Sequence, residues 1–203
     1  RRGARRRRGA RGTRDHRADG RRAAAGDHVS FQALDSQSVF SGRLLDVRIE
    51  RFRHSDGEEV TREIVHGQGA VGVLAHDHER LVLVRQPREA VGIQDLLEIP
   101  AGRLDVQGET PLECAKRELA EEVGLAAACW EPILSYYSSP GFTDELVHLF
   151  WARELSQASV QSEENERIEI VNWPLERLAE AIEACADAKT IIALLWLAHR
   201  LNG

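Results

Sequence analysis

Methionine is missing from all 203 residues, even from position 1, so the first residue as written is not expected to be a native translation start. Cysteine is scarce: Cys114, Cys129 and Cys185 make an odd number, with no C-x-x-C pair. That argues against a disulfide framework or a structural zinc site and makes a reducing cytoplasm the expected compartment. The longest apolar run lies near Thr190 to Ala198, too short to cross a bilayer, so no membrane partner is expected. The Arg-rich beginning lacks the apolar stretch of a secretory signal. No internal repeat is visible.

Enough apolar material is present for a core, at 42% hydrophobic residues. The net charge of −6 conceals an asymmetry. Residues 1–26 hold eleven Arg against Asp15 and Asp19, a balance of +9, so the rest of the chain must carry −15. An acidic body suits a divalent-cation site, and it also suits plain solubility. The sequence divides into a tail over 1–28, expected to be disordered, an N-terminal strand region over 29–66, and a main domain over 67–203. Basic runs are common and non-specific, so the tail reads as a solvated segment and nucleic acid is not an expected partner.

Apolar alternation predicts strands over Arg43 to Arg53 and Val60 to Val65, joined at the Asp56-Gly57 turn signal. Further strands are expected over Gly69 to His76, Arg80 to Gln86, Pro132 to Ser138, Glu145 to Ala152 and Ile168 to Trp173. Helices are expected over 109–123, from Pro174 to Ala184 and from Ala188 to Leu201. Strands interspersed with isolated helices imply a layered α/β domain with a mixed sheet.

The stretch from Gly102 to Leu125 carries the chemistry. Thr110 with Glu113 forms a capping-box pattern, Pro111 sits at the first helical position, and Gly124 is placed to stop the helix. Leu112, Ala115, Leu119 and Val123 recur at three- and four-residue steps and define one buried stripe. Glu118, Glu121 and Glu122 lie off it, within about one turn of each other, where like charges repel. Clustered hard oxygen ligands suit Mg²⁺ or Mn²⁺, which bind substrate phosphate as well. Arg117 stands among these acids, able to orient one of them through its fork of N–H donors. A solvated acidic face is the bland alternative for any one pair, such as Glu113 and Arg117, but not for the whole constellation.

Glu109, seven residues, Arg117-Glu118-Leu119, one residue, Glu121-Glu122, one residue and Gly124-Leu125 resembles the Nudix box. The usual box has five residues between its first Gly and first Glu, whereas six separate Gly102 from Glu109 here, which lengthens the loop and leaves the helical spacing intact. Leu97 to Gly102 and Ser138 to Glu145, with Pro140 sixteen residues after Gly124, resemble segments of the ADP-ribose pyrophosphatase group. The resemblance covers about residues 38–203.

The resemblance implies a Nudix α/β/α sandwich with a mixed β-sheet, preceded by the N-terminal strands. It implies two or more Mg²⁺ or Mn²⁺ ions held by Glu118, Glu121, Glu122, the Ala101 carbonyl and Glu166. Glu164 becomes the candidate general base, with Glu121 also counted among the catalytic groups. Arg62, Glu63, Arg88, Gly102 and Pro140 become substrate-binding candidates, and Arg117 a support of the site. A homodimer that exchanges its N-terminal strands is implied, with the Arg62-Glu63 pair reaching the partner's substrate. The implied reaction is hydrolysis of ADP-ribose to AMP and ribose 5-phosphate. Two alternatives stay open: another nucleoside-diphosphate sugar, of the ADP-glucose or GDP-mannose type, and a non-catalytic ADP-ribose-sensing domain.

Overall fold

The computed structural model describes residues 30–159 and 167–202. The basic tail over 1–28 and the acidic loop with Glu164 and Glu166 lie outside the described residues.

Two sheets form. The first is antiparallel, from β1 (Phe31–Ser41), β2 (Asp46–His54) and β3 (Glu59–His66) in that order. The β2–β3 hairpin turns at the expected place, where Gly57 takes φ +92. Strand β1 was not foreshadowed by any apolar alternation, because its residues are exposed along nearly its whole length. Its main-chain pairing with β2 holds it, rather than a buried face.

The second sheet is mixed. Its strands are β4 (Ala70–His76), β5 (Arg80–Arg88), β6 (Ile93–Glu98), β7 (Ala101–Arg103), β8 (Leu125–Tyr137), β9 (Leu146–Gln157) and β10 (Glu169–Pro174). The order runs β10-β5-β4-β9-β8, with β6 on β5 and β7 on β4. Among the described residues only β4 and β9 pair in parallel within this sheet. Helix α1 (Pro111–Val123) covers one face, while α2 (Leu178–Ala184) and α3 (Ala188–Asn202) cover the other.

Successive side chains of a strand point to opposite faces. Val71, Val73 and Ala75 of β4 and Val82 and Val84 of β5 therefore pack with Ala115 and Leu119 of α1. Leu74, Leu81 and Leu83 point the other way and meet Leu194 and Leu197 of α3. Burial on both faces explains why these strands read as nearly continuous apolar runs. Each large aliphatic side chain so buried contributes about 1.5–3 kcal/mol.

The helix expected from Pro174 begins later. Pro174 is extended (φ −58, ψ 128) and closes β10 opposite Arg80, and a short 3-10 turn over Leu175–Arg177 precedes α2. Proline without an N–H fits a strand's last position as well as a helix's first.

The N-terminal sheet joins the main body at one seam. Val65 N–H donates to Phe142 O at 2.8 Å, Gly67 N–H donates to Asp144 Oδ1 at 3.1 Å, and His66 Nδ1 lies 2.6 Å from Asp144 Oδ2.

Candidate active site

The site is built on α1. Thr110 Oγ1 accepts from Glu113 N–H at 3.3 Å, and Glu113 Oε2 accepts from Thr110 N–H at 2.8 Å, completing the reciprocal cap. Gly124 ends the helix in the left-handed region at φ 67. Cys114, Ala115, Leu119 and Val123 are buried against the sheet, which turns the acidic face outward into a cleft of about 980 Å³. The stripe includes Cys114 where the sequence suggested Leu112, which is only partly buried. Burial pushes the Cys114 thiol up to about 12, so it is inert as a nucleophile.

Arg117 organises the acids. Its Nε and Nη2 donate to Glu109 Oε1 and Oε2, both at 2.9 Å, and its Nη1 donates to Glu118 Oε1 at 2.7 Å and Glu121 Oε2 at 3.0 Å. The hydrogen bond to Glu109, opposed by partial burial and reinforced by the other acids, holds the Arg117 pKa above its ordinary value. The same bond lowers that of Glu109. One guanidinium among three carboxylates gives the cluster an excess of negative charge. Glu122 reaches across to the loop, where its Oε2 accepts from Ala101 N–H at 2.9 Å. A Cβ at Gly102 would fall 1.9 Å from Glu118 Cδ, so a larger residue there would displace the Glu118 carboxylate from its present place.

The donor set fits a hard divalent cation. Glu118, Glu121, Glu122 and Ala101 all line the cleft, and all offer oxygen. Among the described residues no three carboxylate, imidazole or thiol groups stand gathered around one point. The hydrogen bonds from Arg117 and Ala101 account for the present placement of the box acids.

Arg88, Gly102 and Arg117 line the same cleft. Arg62 and Pro140 line instead a neighbouring, mostly apolar cavity of about 360 Å³ beneath the N-terminal sheet. Among the described residues Arg62 donates only to the Thr61 carbonyl, at 2.9 Å, and Glu63 sits beside it on β3 without lining either cavity. Within one chain, therefore, Arg62, Glu63 and Pro140 are not brought to the box acids.

The cleft also holds residues that the sequence did not single out. Tyr136 lines it, its hydroxyl pushed up to about 12 by burial. Lys189 and Asp187 come from the start of α3. Lys189 Nζ lies 2.5 Å from Glu98 Oε1 and 3.0 Å from Asp187 Oδ1, and Arg88 Nε lies 2.8 Å from Glu98 Oε2. Asp187 caps α3 by accepting from Thr190 N–H at 2.9 Å. That Asp-x-x-Thr cap was the available sequence signal, and it marks a helix start rather than a site.

A family model described as the NUDIX domain matches residues 66–195. The chain belongs to the Nudix family. Among similar proteins is an ADP-ribose pyrophosphatase of Bacillus subtilis (strain 168), 38% identical over 171 residues, 82% of this chain and 91% of that protein. A methanol dehydrogenase activator of Bacillus methanolicus is 34% identical over the same shares of the two chains. A solved structure described as an ADP compounds hydrolase superposes with a TM-score of 0.75 at 24% identity, covering 85% of this chain and 95% of that one. That likeness speaks for the fold, and it matches the mixed sheet between helical layers.

Proposed function

We propose that this Nudix protein hydrolyses the diphosphate of ADP-ribose to AMP and ribose 5-phosphate. The observation that carries the chemistry is the cleft in which Arg117 gathers Glu109, Glu118 and Glu121 while Ala101 N–H holds Glu122. The choice of sugar rests on the similarity to the Bacillus subtilis ADP-ribose pyrophosphatase over most of both chains.

Glu118, Glu121, Glu122 and the Ala101 carbonyl are the residues to hold magnesium or manganese, with Glu166 as a further ligand. Two or more such ions, when bound, would neutralise phosphate charge and acidify a water. Arg88 spends Nε on Glu98, and among the described residues its two terminal nitrogens have no hydrogen-bond partner, so they are the proposed donors to phosphate oxygens. Glu164 is the proposed base: the water's oxygen bonds one phosphorus, its proton passes to the Glu164 carboxylate, and the bridging oxygen departs with the other phosphate. Glu121 is the second proposed catalytic carboxylate. Arg117 holds the box acids in place, and Gly102 keeps the loop against them.

A homodimer exchanging N-terminal strands is part of the same proposal. Strand β1 is an edge strand, and Phe31, Val39 and Phe40 on it are each more than half exposed. Such an edge invites pairing or cover by a second copy. Exchange would carry Arg62 and Glu63 toward the partner's cleft. The three free thiols suit the cytoplasm as the compartment.

The test is chromatography of products after incubating ADP-ribose with the protein and Mg²⁺, beside ADP-glucose and GDP-mannose. AMP and ribose 5-phosphate, formed fastest from ADP-ribose, support the proposal. Faster release from another sugar nucleotide would move the substrate, and tight binding without turnover would make the domain a sensor. Full turnover by Glu164→Gln would transfer the base role to a box glutamate such as Glu121.

A further inference from the structure

We propose that Lys189 is a second substrate-contacting cation of the cleft, paired with Arg88 across buried Glu98 to grip the diphosphate. The inference rests on the diphosphate reading above.

The Glu98 side chain is 2% exposed, and a carboxylate so buried must be matched by charge and hydrogen bonds. Two cations from opposite sides of the sequence do this. Arg88 takes Oε2 at 2.8 Å, and Lys189 takes Oε1 at 2.5 Å. One carboxylate thus fixes a guanidinium and an ammonium a few ångström apart, both lining the cleft that holds the box acids. A lysine ammonium has three donors. Lys189 donates to Glu98 Oε1 and forms an ion pair with Asp187 Oδ1 at 3.0 Å, and among the described residues it has no further polar partner, so donor capacity remains for a ligand in the cleft. Asp187 is itself committed to Thr190, accepting from its N–H at 2.9 Å and its hydroxyl at 2.6 Å. A diphosphate offers adjacent anionic groups, which suits two cations held side by side better than one. Glu98 is then a positioning residue: it touches no substrate and sets the spacing of the two that do.

The competing explanation is that Lys189 only fastens α3 to the sheet. Thr190 separates the two roles, because its Oγ1 accepts from Ile99 N–H at 2.9 Å and so ties α3 to the end of β6 without lining the cleft. Lys189→Met, Lys189→Arg and Thr190→Val are compared with wild type by KM and kcat for ADP-ribose, by calorimetric titration with inorganic pyrophosphate in Mg²⁺, and by melting temperature. Loss of one charge-assisted contact is expected to raise KM and the pyrophosphate Kd of Lys189→Met by about tenfold or more. Lys189→Arg should recover most of both, while Thr190→Val should melt earlier with both constants near wild type. The inference is overturned if Lys189→Met binds pyrophosphate like wild type, or if Thr190→Val weakens binding as much. Pyrophosphate titration decides this even if ADP-ribose is not turned over, an outcome that would defeat the functional reading by itself.

Discussion

Arg117 and Glu109 meet face to face, with two parallel hydrogen bonds of 2.9 Å between the guanidinium edge and both carboxylate oxygens. The remaining nitrogen Nη1 is thereby aimed at Glu118 and Glu121. A lysine at 117 would keep the charge and lose the fork. Arg117→Lys is therefore expected to lower kcat by about tenfold to a hundredfold, with the circular dichroism spectrum unchanged. Wild-type turnover in this variant would show that the fork does not place the acids.

Gly102 gives a sharper steric test. A methyl there collides with Glu118 Cδ at 1.9 Å, so Glu118 or the loop must shift by an ångström or more. Displacement on that scale costs about a hundredfold in rate. Gly102→Ala should fold, and its hydrolysis of ADP-ribose should fall accordingly in a steady-state assay.

Thr110 isolates stability from chemistry. Thr110→Ala removes the acceptor for Glu113 N–H at the start of α1, at a cost of about 1 kcal/mol. Urea unfolding should report that loss with an unaltered m-value. A much larger effect would mean that the cap supports more than its own helix turn.

The seam at His66 predicts a pH dependence. The hydrogen bond to Asp144, opposed by partial burial and aided by Glu50, raises His66 above 6.5. Its contribution is fully present below 6.5 and fades as pH rises through the higher folded-state value. Asp144 is pushed up by burial but lowered on balance, chiefly by His66 and the Gly67 N–H, so its part is lost as pH falls through a value below 3.8. The unfolding free-energy difference between wild type and His66→Gln should be largest between these limits and shrink on the alkaline side. A difference independent of pH would leave His66 uncharged at the seam.

Chelation gives the metal test. Dialysis against EDTA should abolish hydrolysis, and Mg²⁺ or Mn²⁺ should restore it. Activity that survives EDTA would remove the divalent ions, and the role given to the box acids, from the reaction.

Much of this was legible because it is local. The capping box, the Gly124 stop and the carboxylate spacing all lie within a single helix, where geometry follows from residue offsets. Strands β4 and β5 were legible through their unbroken apolar runs. Strand β1 was not, since main-chain pairing leaves no periodic mark when neither face is buried. Lys189 and Glu98 stand 91 positions apart, and no sequence offset announces their contact.

The bond from Ile99 N–H to Thr190 Oγ1 ties the strand leading into the reactive loop to the last helix. During synthesis, the ribosome releases the box and its glutamates well before α3 emerges. Until then the nascent chain holds the box acids but neither Lys189 nor the helix that packs Leu194 and Leu197 into the core, so a message truncated before codon 188 would encode the whole motif and leave one wall of its cleft unbuilt.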